Sequence, residues 1–402
     1  VLGWPKNQNG FIDLGWPKNM GQTDILTRRT LLGTGAATAA GLLAGCSGQS
    51  GDRTATPATA TGSDATSTPE QHSVTMEPVG TVEFDEVPER WVPFTGDYAD
   101  MGVALGQADG LAGIGVPARY GSHLYEELPG VSVDTESVTA LYNEGTDKET
   151  FYSIDADVHV IDPNFAINRL GWSQGDVEEI ADDVGPFVGN TGFTRVYDWH
   201  DDYRYYPMYE TLEVMAELFD ERARYEAFAA YHDEILADVE SRLPAERPDI
   251  ALLYPAGVPP EGFYPYLVGE GTTSKQWRDL GVGDALAANG VTDAQAGGGV
   301  IDFETLLDID PDALAIRLQG EVSETYFEEE IRTPLEEHDV ASDLTAVQND
   351  RVIYAGLTYQ GPIINLFQLE SAAQGLYPDA FGGEQLFDRQ RVADIVTGEF
   401  DE

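Results

Sequence analysis

The chain has few lysines, a single thiol and no long apolar run, and each shortage excludes something. Only Lys6, Lys18, Lys148 and Lys275 occur in 402 residues, and 22 Lys and Arg face 71 Asp and Glu, for a net charge of −49. A nucleic-acid surface needs clustered Lys and Arg, so that class is excluded. With one cysteine, Cys46, internal disulfides are impossible. The apolar run Leu31 to Gly45 is 15 residues, short of the roughly 20 that span a bilayer. The histidines His72, His123, His159, His200, His232 and His338 show no metal-ligand spacing. No Gly-x-Ser-x-Gly or phosphate-binding loop occurs. Asp182-Asp183 and Asp201-Asp202 are hard-cation candidates, but acidic pairs belong on any solvated face of such a chain. We therefore expect no enzyme, no metal site and no cofactor.

What is present begins with an export pattern. Arg28-Arg29 precede the short Ala- and Gly-rich run, which steps through Leu43-Ala44-Gly45 into Cys46. A twin arginine, a short apolar core and a small-residue step into cysteine form a lipoprotein signal, so residues 1–45 are set aside and Cys46 is expected to carry lipid. The hexapeptide Leu2 to Asn7 recurs as Leu14 to Asn19 directly before Met20, which reads as translated upstream sequence with Met20 as the true start. Residues 46–73 are mostly Gly, Ser, Thr, Pro and Ala, a flexible tether. Acidity spread along the whole chain suits a surface exposed to high salt, where a Debye length of about 3 Å at 1 M screens self-repulsion. At 42% hydrophobic and 10% aromatic, the chain has the material for a packed core.

The body divides in two. Apolar runs at 90–95, 111–116, 157–161 and 185–188 predict strands in an N-terminal α/β domain, 74–206. Runs at 249–254, 313–317 and 351–354 predict strands in a C-terminal α/β domain, 244–402. Continuous apolar strands separated by helices indicate mostly parallel sheets covered on both faces. Residues 207–243 have apolar positions at helical spacing and no Gly or Pro from 208 to 243, so one long bridging helix is expected, with a bend near Asp220. The halves share a motif at an offset of 155: Asp147 to Asp157 matches Asp302 to Asp312 at six of eleven positions.

This pattern resembles the substrate-binding lipoproteins of ATP-driven importers for iron-siderophores, haem and cobalamin. The marks are Val87-Pro88-Glu89-Arg90-Trp91-Val92, Gly113-Ile114-Gly115, the paired Glu-helix-Asp-strand units, Leu344 to Val352 and Leu376 to Phe381. The resemblance covers about residues 78–385 and implies a class III periplasmic-binding-protein-like fold, two small α/β domains joined by one long rigid helix. It implies a monomer outside the cell, lipid-tethered to the membrane, that delivers a bulky iron chelate to an ABC permease and its ATPase subunits. It assigns permease docking to one glutamate per domain, Glu149 and Glu304, although a glutamate in a first helical turn is also favoured by the dipole.

Ligands of parallel sheets sit at the carboxyl ends of the strands. The expected contacts in the first half are Tyr98, Arg119, Tyr120, Tyr142, Asn164, Arg169, Trp172, Trp199 and Tyr203; in the second they are Tyr264, Arg317 and Tyr359. Arginine and tyrosine together suit an anionic, catecholate-like ligand. The expectation is capture of a ferric siderophore, with cobalamin or haem as the alternative cargo and a cell-surface metal-dependent hydrolase as the rival class.

Overall fold

The computed structural model describes residues 72–142, 145–292, 299–318, 320 and 322–400. Arg28, Arg29, Cys46 and most of the tether lie outside them.

An antiparallel hairpin, β1 (His72–Met76) and β2 (Gly80–Phe84), opens the described chain. The first half then runs β3 (Trp91–Pro93), α1 (Gly96–Ala104), β4 (Gly113–Ile114), β5 (Thr139–Ala140), α2 (Lys148–Ile154), β6 (Val158–Val160), α3 (Pro163–Leu170) and α4 (Gln174–Asp183). Strand β3 pairs with β6 and β4 with β5, all parallel. Parallel bridges from Trp91 to Leu111 and from His159 to Phe187 join them into one parallel run. Each strand alternates its faces. Val92 and Phe187 pack with α2 and α4 in one core, while Trp91, Val158 and Val160 face the middle of the molecule.

Residues 208–242 are helical as expected, but in two pieces, α5 (Met208–Phe219) and α6 (Arg222–Arg242). The anticipated bend is a full stop. Asp220 takes the left-handed conformation, φ 55°, a region that Asp tolerates better than most residues.

The second half holds β7 (Asp249–Pro255), β8 (Phe263–Tyr266), α7 (Lys275–Asp279), β9 (Gly283–Asp284), α8 (Phe303–Ile309), β10 (Ala313–Ile316) and β11 (Val352–Tyr354). Its sheet runs β11–β10–β7–β8, with β9 also on β7; only β8 is antiparallel. Ala251, Leu253, Leu314, Ile316 and Val352 pack outward with α8. Ile250, Leu252, Ala313, Ala315 and Ile353 face the middle.

Helices α9 (Pro362–Leu376) and α10 (Arg389–Thr397) follow. Buried residues of α9 lie around its whole circumference, because it packs on α1 and α6 as well as on α7. The C-terminal helices thus share one core with the first half. Asp100 on α1 makes the most direct tie. Its buried Oδ2 accepts from Ile363 N and Ile364 N, both at 3.0 Å, and so caps α9; Tyr125 donates to its Oδ1 at 2.7 Å. Arg389 adds a second tie, 2.6 Å from Glu370 and 3.4 Å from Glu127, with its guanidinium over Phe387.

Burial pushes the Asp100 carboxyl up to about 7, against hydrogen bonds that favour the ionised form. Neighbouring Asp97 rises to about 6, also from burial. A raised carboxylate stabilises the fold fully below its unfolded value, and that contribution is lost as pH rises to the folded value. Asn at position 100 can keep the α9 cap, because its carbonyl oxygen accepts the same two N–H groups. The stability of wild type minus that of Asp100→Asn should therefore fall by roughly 4 kcal/mol between about pH 4 and pH 7. Urea unfolding at both pH values checks this; a difference independent of pH would contradict it.

Candidate ligand-binding cleft

Strand alternation decides what reaches the carboxyl ends of the strands, where a ligand cleft is expected. In β7 the inward positions are Ile250, Leu252 and Tyr254; continuing β10, they are Ala313, Ala315 and Arg317. Tyr264 lies opposite Tyr254, and Tyr266 follows Tyr264 on the same face of β8. The rings of Tyr254 and Tyr266 are 5.9 Å apart. The carboxyl ends of the second sheet therefore present one guanidinium among tyrosines.

That guanidinium is unusual. Arg317 is 3% exposed and has no carboxylate partner among the described residues. One guanidinium nitrogen donates to Thr273 O at 2.7 Å, and its buried Nε has no partner among the described residues. Burial lowers its pKa, and the neighbours that oppose this are Tyr254, Tyr266 and Tyr354. An arginine remains charged under such conditions. The site thus holds a buried, uncompensated positive charge in a chain of net −49.

The first half contributes two more cations. Arg119 acts electrostatically on Tyr254, Tyr266 and Tyr359, and Arg169 on Tyr359 and Tyr197. Arg169 lies over the Tyr197 ring, 5.5 Å from its centre. Tyr197 stacks on Trp199 at 4.0 Å, and Tyr359 meets Phe193 edge-on at 5.2 Å. Burial raises the pKa of Tyr197, Tyr254, Tyr266 and Tyr359, so their hydroxyls stay protonated. None of these four hydroxyls bonds to another described residue, which leaves them as donors for a ligand.

The floor joins the halves. Thr272 N donates to Gly192 O at 3.2 Å, and the Thr273 hydroxyl donates to Phe193 O at 3.0 Å. Gly271 lies so close that a Cβ there would sit 2.1 Å from Phe193 O, which only glycine avoids.

Of the expected contacts, Arg119, Arg169, Trp199, Tyr264, Arg317 and Tyr359 belong to this assembly. Tyr142 is half-buried at the end of the first sheet, its N–H on Gly115 O at 3.0 Å. Asn164 is half-buried at the start of α3. Four others are committed to the protein. Tyr98 donates to Asn190 O at 2.9 Å and accepts from Asn190 N at 2.8 Å. Tyr120 donates to the Tyr125 hydroxyl, 3.0 Å away, and is 1% exposed. Trp172 donates to Thr146 O at 3.0 Å and packs on Phe151. Tyr203 donates to Asp162 at 2.6 Å and accepts from Thr191 N at 2.6 Å. Sequence reasoning missed Tyr197, Tyr254 and Tyr354. For Tyr254 the signal was available: it is the last inward position of an apolar strand.

The duplicated motif also resolves residue by residue. Asp147 and Asp302 cap their helices, each accepting from a Thr N–H at 2.9 Å. Asp155 and Asp310 end them in the left-handed conformation, φ 53° and 46°. Asp157 accepts from Arg90 N at 2.7 Å and Asp312 from Asp249 N at 2.9 Å, each clasping the adjoining strand. Thr150 and Thr305 serve the caps, and Ile154 and Ile309 the cores. Glu149 and Glu304 remain. Both are exposed, and neither makes a hydrogen bond or ion pair with another described residue.

With this geometry in view, comparison with known proteins places the chain. Residues 94–357 match the periplasmic binding protein family, and the chain belongs to it. Members of that class work outside the cytoplasm. Solved structures share the fold. A periplasmic binding protein from Veillonella parvula is 16% identical, with a TM-score of 0.57 over 77% of this chain and 98% of that one. The petrobactin-binding protein YclQ from Bacillus subtilis is 17% identical, with a TM-score of 0.55 over 77% and 99%. The catecholate-siderophore binding protein VctP from Vibrio cholerae is 16% identical, with a TM-score of 0.52 over 75% and 99%. No curated protein matches the chain.

A buried charge held for a ligand should not stabilise the empty protein. Replacing even a buried ion pair by apolar groups of similar volume is often neutral or stabilising, and an unpaired buried charge is costlier still. Ligand-free Arg317→Met should melt at or above the wild-type temperature by calorimetry. A drop of about 3 °C or more, roughly 1 kcal/mol or more for a protein of this size, would show that the charge supports the fold itself.

Proposed function

We propose that this protein captures a ferric siderophore, or a similar bulky anionic iron chelate, outside the cell and delivers it to an ABC permease. The observation that carries this reading is Arg317: a guanidinium 3% exposed, without a carboxylate among the described residues, beneath unbonded tyrosine hydroxyls. Arg119 and Arg169 reinforce the positive field from the opposite side. Oxygens of a catecholate chelate would accept from the guanidinium and the hydroxyls, and its rings would lie on Tyr197, Tyr266 and Tyr359. The ligands named for YclQ and VctP, petrobactin and a catecholate siderophore, support the same class. In this reading the domains are 74–206 and 244–402 with 207–243 between them, Cys46 carries the lipid anchor, and the protein acts as a monomer. The hydrolase reading finds no group of three or more potential metal ligands among the described residues.

Titration in molar salt with ferric catecholates, ferric hydroxamates, haem and cobalamin tests the ligand class. Charge-assisted hydrogen bonds contribute about 1.5–3 kcal/mol, so Arg119→Ala or Arg317→Ala should weaken chelate binding by about tenfold to a hundredfold. Binding of cobalamin or haem alone would transfer the function to that cargo. Wild-type affinity in both variants would remove the cleft assignment.

The pair Glu149 and Glu304 is read as the permease contact. Every other identity in the motif has a structural duty, and these two carboxylates, one per half, do not. Complementary charges at an interface fix its register and speed encounter. Glu149→Arg with Glu304→Arg should abolish uptake in cells while leaving the solution affinity for the chelate unchanged. Normal uptake by the double variant would exclude this role.

A further inference from the structure

Beneath the cleft runs a connected set of buried amides that ligand contact does not account for. Gln360 is fully buried, and its side chain uses both donors and both acceptor positions. Nε2 donates to Thr272 O at 2.6 Å and to Gln276 Oε1 at 2.5 Å. Oε1 accepts from Asn365 Nδ2 at 3.0 Å and from Gln368 Nε2 at 2.9 Å. Backbone groups fix the polarity at both ends. The Thr272 carbonyl can only accept, and the Leu357 N–H, 2.7 Å from Gln368 Oε1, can only donate. His232 Nε2 on α6 meets Asn365 Oδ1 at 2.9 Å, which ties the set to a helix between the two halves.

The set ends on the turn that forms the cleft floor. Thr272 O is held by Gln360, and the next carbonyl, Thr273 O, is the one that receives the Arg317 guanidinium. The same turn is bonded to Gly192 and Phe193 of the first half. Tyr359, adjacent to Gln360 in the chain, rests on Phe193. An apolar residue of equal volume would fill the space at 360, but only an amide with two donors and two acceptors fixes that carbonyl from behind. Gln360, Asn365 and Gln368 are satisfied and so hold one geometry, while the Nε2 of Gln276 finds no partner among the described residues.

We propose that Gln360 is the positioning residue of the anion site. It sets the Thr272–Thr273 turn and through it the aim of Arg317, without touching the ligand. This inference rests on the reading of the cleft as an anion site, and the test separates the two. Affinity for a ferric tris-catecholate is measured in molar salt for Gln360→Leu, Arg317→Met and the double variant, each first confirmed as folded by thermal unfolding. Gln360→Leu alone should weaken binding about tenfold, and the double variant should bind within about twofold of Arg317→Met, because residues acting through one contact are non-additive. Effects that multiply would show that Gln360 acts independently and would overturn the proposal. Wild-type affinity in Arg317→Met would overturn the anion-site reading itself. Weak binding by Arg317→Met with wild-type binding by Gln360→Leu would overturn only the positioning role. If Gln360→Leu does not fold, Thr273→Ala replaces it in the same cycle. It removes the turn's hydroxyl bond to Phe193 and should weaken binding about threefold, again without adding to Arg317→Met; additive effects there would overturn the proposal.

Discussion

A guanidinium buried without a carboxylate partner among the described residues is the constraint around which this molecule is arranged. Taking a charge out of water is expensive unless it is paired. Carboxylates are abundant here, 71 in all, and many of the described arginines pair with one: Arg222, Arg242, Arg389 and Arg391 each do. Arg317 has none among the described residues, where its neighbours include three tyrosines and one backbone carbonyl. Low dielectric strengthens its attraction for an incoming anion. In molar salt that matters, because exposed charges are screened within a few ångströms while a buried one keeps its reach.

Such a charge is useful only if the cleft holds its shape, and the ties across the halves serve that end. Asp100 caps α9 from α1, Arg389 reaches Glu127, and the Thr272–Thr273 turn is bonded to Gly192 and Phe193. The connecting helices are broken at Asp220, so the halves are not joined by a continuous rod. Hydrogen bonds at the floor and a shared core of C-terminal helices tie them together. A site preorganised in this way loses little freedom on binding.

Much of this was legible in the sequence, for physical reasons. Each predicted strand run contains an observed strand or bridge, because buried parallel strands write themselves as apolar runs. Strands β5 and β8 were not visible. Thr139–Ala140 is exposed, and Phe263–Tyr266 alternates around Pro265 as an antiparallel edge. The break at Asp220 was legible only as a bend, since one aspartate looks the same inside a helix and at its end. Arg119, Arg169 and Arg317 stood out because cations are rare. Tyrosines did not sort themselves. Tyr98 and Tyr203 give their hydroxyls to the protein while Tyr254 and Tyr266 keep theirs, and that difference depends on partners 92 residues away for Tyr98 and 12 and 41 residues away for Tyr203. The two glutamates gained meaning only once every other identity in the repeat had found a structural partner.

The central claim is that the cleft selects negative charge. The most direct measurement compares a multiply charged ferric catecholate with a neutral ferric hydroxamate of similar size, both titrated into the wild-type protein in molar salt. The account predicts that the anionic chelate binds at least about tenfold more tightly, a difference of about 1.4 kcal/mol. Equal affinities, or a preference for the neutral chelate, would contradict it.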